Sequence, residues 1–461
     1  MDVLLIVYDN ESAINHFPQG IAYIASSLIR YGHTVKIYSQ DIYHYDEQHL
    51  TDYLNYNHFD IVGVGVIGGY YQYKKLLALS EAINSSTNRK DFKYILGGHG
   101  PSPEPRFFLE KTRADFVVIG EGEHTTVDLL DNLDKPDTVD GIAFIKDGQF
   151  IKTKERKQIK NIDSIPTPAY DLFDINHYAL LKPAGFSNTD RCMSVLSGRG
   201  CPYKCNFCYR MDKGFRPRSN DSIIGEIATL KRKYNITGIE FSDELLMSSE
   251  KRVISLCEDF IRFNLNIKWA CNGRLNFASL EVLNIMKKAG CTFINYGIEC
   301  LDDEILKIMN KHLTVNMIIK GVENTKTVGI HAGLNFIFGN IGEDKKHMNR
   351  ALYFLQKYGD GSQLRTIRPV TPYPGSPLYY YAIGKGLLKG PADFYENKHT
   401  NSDLITVNFS KLTDEEVYKH LNWVNKKLIV DYYSKNEKNI TKQCDDLYKK
   451  QNSSFRGFRN T

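Results

Sequence analysis

Short apolar runs alternate with amphipathic stretches over roughly the first 135 residues, the signature of strands separated by helices in a parallel α/β sheet. The runs predict strands at 3–8, 34–38, 60–66, 94–98 and 115–119, with a helix over 21–31 that Gly32 ends. The third run, Asp60-Ile61-Val62-Gly63-Val64-Gly65-Val66, lacks a polar face, as expected of a strand buried on both sides. A doubly wound sheet takes its ligand outside the carboxyl ends of its strands. Glycine turns recur there: Gly68-Gly69, Gly97-Gly98-His99-Gly100-Pro101 and Gly120-Glu121-Gly122-Glu123. Residues 143–151 predict a hairpin around Asp147-Gly148, and Ile165-Pro166-Thr167-Pro168 a stiff crossing segment, so 139–190 reads as a linker.

Alternation resumes with apolar runs at 193–196, 238–241, 267–271, 293–298, 334–338 and 363–369. Six strand–helix units are too few for a full eight-stranded barrel and suit a partial one. The remaining residues read as helical. The expected fold class is therefore α/β: a Rossmann-like, doubly wound domain (1–138), the linker (139–190), a partial (β/α)6 TIM-type barrel (191–385) and a helical C-terminal cap (386–461).

Composition narrows the function. A chain of 461 residues, 42% hydrophobic and 25% charged, with a mean hydropathy of −0.38, suits several packed domains. Its net charge of +5 is small and the basic residues are spread out, so no nucleic-acid partner is expected. The Lys-rich stretch 426–450 is broken by Glu437, Asp445 and Asp446 and reads as a solvated helical face. No apolar stretch reaches membrane-spanning length, and the opening apolar run is short and lacks a basic start. A cytoplasmic location, where thiols stay reduced, is the expectation. Of nine cysteines none precedes Cys192, and one group is dense.

That group is Cys201-Pro202-Tyr203-Lys204-Cys205-Asn206-Phe207-Cys208, three thiolates within eight residues just after a predicted strand. Structural zinc wants four protein ligands, and no histidine lies between His177 and His312. Cys192 precedes the strand and stands at its other end. Three unrelated cysteines fit the spacing poorly. An iron–sulfur cluster on three cysteines leaves one iron open to a ligand, unlike the usual four-thiolate site.

The C-x3-C-x2-C spacing, with Phe207 before the last cysteine, resembles the radical S-adenosylmethionine enzymes. The resemblance implies a 4Fe–4S cluster on Cys201, Cys205 and Cys208 whose open iron chelates S-adenosylmethionine, and a 5′-deoxyadenosyl radical formed by one-electron cleavage. Further segments resemble that family in order: Ile239-Glu240-Phe241-Ser242-Asp243-Glu244, Trp269-Ala270-Cys271-Asn272-Gly273-Arg274, Tyr296-Gly297-Ile298-Glu299-Cys300, Phe336-Ile337-Phe338-Gly339-Asn340-Ile341-Gly342-Glu343 and Thr371-Pro372-Tyr373-Pro374-Gly375. They imply cofactor contacts at Phe207, Asp243, Glu244, Arg274, Glu299 and Gly339.

Phe17-Pro18-Gln19-Gly20, the Gly97-Gly98-His99 turn and Gly120-Glu121-Gly122-Glu123 resemble the cobalamin-binding domain that precedes one large branch of those enzymes. Gly68, Gly69, Gly97, Gly98, His99, Gly120, Glu121 and Gly122 are the residues this resemblance assigns to the corrin. The Asp-x-His-x-x-Gly string that supplies a cobalt ligand elsewhere is absent, and His16, His99 and His124 read as loop histidines. The alternative is a domain that kept its fold and lost its cofactor. The family implies methyl transfer to an unactivated carbon or phosphorus of a small molecule, with an external one-electron reductant of the flavodoxin or ferredoxin type. A radical cyclase or ring-rearrangement enzyme of the same architecture, and a cofactor-sensing or carrier protein, are the rival readings.

Overall fold

In the computed structural model, which describes residues 1–444 and Lys449, the chain forms two compact units that do not follow chain order. The first comprises Met1–Leu181, Arg191–Glu244 and Thr371–Val407; the second comprises Lys182–Asp190, Leu245–Val370 and the chain from Asn408.

The large sheet of the first unit contains β1 (Asp2–Val7), β2 (Thr34–Ser39), β3 (Ile61–Gly65), β4 (Lys93–Gly97), β5 (Phe116–Val118), β6 (Ile142–Lys146) and β7 (Gln149–Lys152), in the order β2-β1-β3-β4-β5-β6-β7. The first five strands are parallel and coincide with the five expected from the apolar runs, with ends displaced by a residue or two. Val62, Val64, Leu4, Ile6 and Leu96 are buried, which is why these strands lack a polar face. The expected first helix is Gln19–Arg30. Strand order reverses between β1 and β3, the switch point that marks the ligand crevice of an open α/β sheet.

The hairpin expected within the linker extends this sheet instead. β6 runs antiparallel to β5, pairing Val118 with Ile142, and β7 follows it. Ile142, Ala143 and Phe144 are buried, so the hairpin covers an edge of β5 that would otherwise present unpaired backbone and the apolar Phe116. The same unit holds β8 (Cys192–Val195), β9 (Gly198–Arg199), β10 (Arg216–Pro217) and β11 (Gly238–Phe241). β8 and β11 are parallel; β9 and β10 form a two-residue antiparallel ladder.

In the second unit β12 (Lys268–Gly273), β13 (Cys291–Glu299), β14 (His331–Phe338) and β15 (Arg368–Pro369) are parallel neighbours in that order. Helices Leu280–Lys288, Val315–Val328 and Lys345–Tyr358 follow the first three strands, and the hydroxyls of Ser279 and Thr314 cap the first two of these helices. Side chains alternate across β13. Ile294, Tyr296 and Ile298 are fully buried, with the Tyr296 hydroxyl 3.0 Å from Thr325 of a covering helix. The opposite face carries Asn295, Gly297 and Glu299. β15 is far shorter than the 363–369 run expected. Pro369 has no N–H to continue a ladder, and Gln363 and Arg365 enter side-chain contacts described below.

The C-terminal region is helical over Asp414–Cys444, and His420 bonds Asn349 of the Lys345–Tyr358 helix at 2.9 Å. Residues 386–407, expected with the C-terminal cap, lie in the first unit. Asp445, Asp446 and Lys450 of the Lys-rich face lie outside the described residues. No helix among the described residues is long and apolar enough to cross a membrane.

Candidate cofactor site

The cysteine loop leaves β9 and returns on β10, whose ladder (Arg199 with Arg216, Gly198 with Pro217) closes its base. Cys208 N donates to Cys205 O at 3.2 Å in a tight turn. Cys205 is buried, Cys201 and Cys208 are half-buried, and none is in a disulfide. Among the described residues no three His, Cys, Asp or Glu side chains converge to hold a single metal ion. Three thiols spaced along a loop fit a multi-iron cluster, whose thiolates bond separate irons and need no common centre.

The loop is fastened on two sides within the first unit. Asn206 O accepts from Leu378 N at 2.8 Å, and the neighbouring Tyr379 hydroxyl donates to Glu104 at 3.0 Å, just past the Gly97–Pro101 turn. The ring of Tyr209 meets that of His99 edge-on at 6.2 Å. In that turn Gly98 has φ +98°, and a Cβ there would lie 2.6 Å from Val66 O, so no other residue fits. His16 and His124 are exposed, and His16 lies 4.0 Å from Glu240.

The second fastening is a buried ion network. Arg199 pairs with Glu121 at 3.0 Å and with Glu123; Arg216 pairs with Glu121 at 2.9 Å and with Asp212 at 2.8 Å. Ile159 N donates to Glu121 at 2.8 Å, and Ile159 O accepts from Arg216 at 2.6 Å. Burial raises the Glu121 carboxyl, but the bonds from Arg216 and Ile159 N and the two guanidinium charges outweigh it and hold it below its ordinary value. Glu121 thus ties the third glycine turn to the strands flanking the cysteines.

At the end of β11 both oxygens of Asp243 accept from Ser197, one from the backbone N–H at 2.6 Å and one from the hydroxyl. Asp243 is buried and fixes the turn that leads into β9. Its neighbour Glu244 is pushed up to about 7 by desolvation and by the charges of Asp212 and Asp243, against a bond from Gly200 N.

Arg274, Glu299 and Gly339 belong to the second unit. Arg274 is buried and donates to Lys311 O; Lys311 Nζ pairs with Glu299 at 2.8 Å. Glu299 has φ +68°, a left-handed conformation that is strained for a glutamate, at a register shift in β13. A Cβ on Gly297 would lie 2.4 Å from Glu299 Oε1 and 3.0 Å from Lys311 Nζ. Gly297→Ala is therefore expected to displace the carboxylate from its lysine and cost about 1–3 kcal/mol. Urea unfolding checks this; an unchanged midpoint means the pair relaxes freely. Gly339 N and Asn340 N each donate to Glu343 at 2.9 Å, and burial pushes that carboxyl up to about 8 despite those donors and the Cys300 thiol.

Sequence reasoning singled out neither Lys311 nor the arginines of the network. Lys311 sits in a loop with no periodic signal, and Arg199 and Arg216 meet Glu121 and Glu123 from 76–95 positions away.

Residues 195–355 match the radical SAM superfamily, and residues 6–130 match the B12 binding domain. The chain is 30% identical over 451 residues to an uncharacterized methyltransferase of Pyrococcus horikoshii, covering 94% of this chain and 92% of that protein. It is 25% identical over 386 residues to the anaerobic magnesium-protoporphyrin IX monomethyl ester cyclase of Rubrivivax gelatinosus, covering 80% and 67%. Its fold resembles that of the radical S-adenosylmethionine methyltransferase TsrM from Kitasatospora setae, solved with cobalamin and a 4Fe–4S cluster, at a TM-score of 0.68 and 16% identity over 83% of this chain and 75% of that one. The matched domains imply a 4Fe–4S cluster, S-adenosylmethionine and cobalamin as cofactors, and the α/β architecture is a B12-binding domain followed by a partial radical SAM barrel and a helical C-terminal region. This chain belongs to the radical S-adenosylmethionine enzymes that carry an N-terminal cobalamin-binding domain.

Proposed function

We propose that this enzyme transfers a methyl group to an unactivated carbon, or to phosphorus, of a small metabolite or natural-product intermediate. The observation that carries the reading is the buried network of Arg199, Arg216, Glu121 and Glu123, which fastens the three-cysteine loop to the glycine-turn edge of the B12-binding sheet. A reaction that uses both cofactors needs the two binding loops held in fixed register. When bound, the cluster and S-adenosylmethionine supply one-electron cleavage chemistry, and cobalamin supplies a transferable methyl group.

The chain's own residues take three kinds of role in this proposal. Cys201, Cys205 and Cys208 hold iron, and Phe207, next to the last in sequence, contacts the cofactor. Gly68, Gly69, Gly97, Gly98, His99, Gly120 and Gly122 form the corrin-facing edge, where bare Cα atoms admit a flat macrocycle. The resemblance assigns Glu244, Arg274, Glu299 and Gly339 to S-adenosylmethionine. Glu121 and Asp243 act as positioning residues, because their carboxylate oxygens already accept from Arg216 and Ile159 and from Ser197. A reducing cytoplasm and an external one-electron donor of flavodoxin or ferredoxin type complete the proposal.

A radical cyclase of the same architecture is the second reading, supported by the likeness to the Rubrivivax gelatinosus cyclase. Anaerobic reconstitution with iron, sulfide and hydroxocobalamin, then turnover of a small-molecule cell extract with methyl-labelled S-adenosylmethionine, separates the two. S-adenosylhomocysteine together with label in a small molecule is the expected result. If 5′-deoxyadenosine and methionine accumulate alone, methyl transfer is wrong.

A further inference from the structure

The face of the second unit's sheet opposite Ile294 and Tyr296 carries a polar ladder. Asn295 on β13 donates to Asn272 on β12 at 3.0 Å, and Asn335 on β14 donates to Asn295 at 2.8 Å. Arg365, in the segment before β15, closes the row. Its Nη1 donates to Asn335 at 2.5 Å, and its Nη2 donates to Asn295 at 3.0 Å and to Gln363. β14 is bare at the point of closest approach: a Cβ on Gly333 would lie 2.1 Å from Arg365 Nη2.

Among the described residues every hydrogen-bond acceptor of this guanidinium is a neutral amide, and its aromatic neighbour is Phe293, 5.9 Å away. Arg365 Nε is buried and has no hydrogen-bond partner among the described residues. Asp360, the acid that bears on it, instead accepts from Ser362 and lies 3.0 Å from His331. The half-buried guanidinium thus makes its hydrogen bonds to amides and no direct ion pair, and burial together with the nearby Arg368 charge lowers its pKa to about 10, against the opposing charge of Asp360. The buried guanidinium of Arg216, by contrast, is paired with the carboxylates of Glu121 and Asp212.

We propose that Arg365, oriented by Asn295 and Asn335, anchors an anionic oxygen group, carboxylate or phosphate, of the substrate. The proposal deepens the reading of a small-molecule substrate and rests on it. A planar fork with a donor to spare suits a two-oxygen anion, and the amide row fixes the plane of that fork.

Differential labelling of the wild-type holoenzyme with phenylglyoxal, localised by mass spectrometry, tests this without a substitution that disturbs folding. Inorganic phosphate and acetate are the competing anions, with chloride at matched ionic strength as reference. Labelling of Arg365 is expected to slow about tenfold at an anion concentration ten times its Kd. Protection by phosphate alone assigns a phosphorylated substrate; protection by acetate assigns a carboxylate. Failure of Arg365 to label, or equal rates in all three salts, overturns the proposal. Cleavage of S-adenosylmethionine is measured on the same sample. Its absence with protection intact refutes the radical-enzyme reading, whereas loss of protection with cleavage intact refutes only the anion anchor.

Discussion

Cys205→Ala is expected to abolish both the brown chromophore and the reductive cleavage of S-adenosylmethionine in anaerobically reconstituted protein. Cys205 is the buried member of the three and sits at the turn that Cys208 N closes. With two thiolates left on the loop, a cluster loses one corner and the arrangement that leaves a single iron open. Folding should survive, since the change removes one small side chain and Leu378 still holds the loop at Asn206 O. Cys257→Ala serves as the control. That thiol lies in a helix of the second unit, and burial pushes its pKa well up, which makes it a poor ligand. Iron and sulfide counts with the visible spectrum decide the matter: a Cys205→Ala protein that stays brown, or a Cys257→Ala protein that does not, contradicts the assignment.

What the sequence disclosed followed the reach of its signals. Strands such as β3 and β4 were legible because burial on both faces leaves an unbroken apolar run, and the glycine turns lay where parallel strands end. The cysteine loop was legible because its ligands are local in the chain. Long-range side-chain pairing carries no such mark. Glu121 stood in a glycine turn and read as a cofactor contact, whereas the structure occupies its oxygens with Arg216 and Ile159, far along the chain. Asp243 was assigned to the cofactor by resemblance to a second-strand motif, and its bonds to Ser197 had no mark in the sequence. The last barrel strand was overestimated because 363–369 mixes apolar and polar residues that serve different partners. Arg365 fell inside that run and had no pattern of its own to set it apart.

Arg216→Met should cost about 3–5 kcal/mol of stability near neutral pH, because the substitution strips a buried counter-charge and leaves Glu121 and Asp212 desolvated. Arg216 also donates to Ile159 O, so the loss loosens the segment that reaches Glu121 through Ile159 N. Adding Glu121→Gln to Arg216→Met should recover part of the loss, since the orphaned charge is removed with its partner. The pH dependence has a defined sign. The folded-state pKa of Glu121 is depressed, so its contribution is complete above the ordinary carboxylate value and disappears as pH falls through the lower folded value. Asp212 acts in the opposite sense, since burial and the Glu121 charge raise its pKa and make its ionised form a burden. The gap between wild type and Arg216→Met should therefore narrow on acidification, as Glu121 protonates and the wild-type pair loses its charge. Urea unfolding at neutral and acidic pH measures that gap directly. Hydroxocobalamin affinity, followed on the same variants, should fall with Arg216→Met if the network holds the third glycine turn against the corrin. Equal midpoints for wild type and variant at neutral pH would mean that Arg199 alone compensates Glu121, and the fastening of the two loops would then rest on the Arg199 pairs with Glu121 and Glu123.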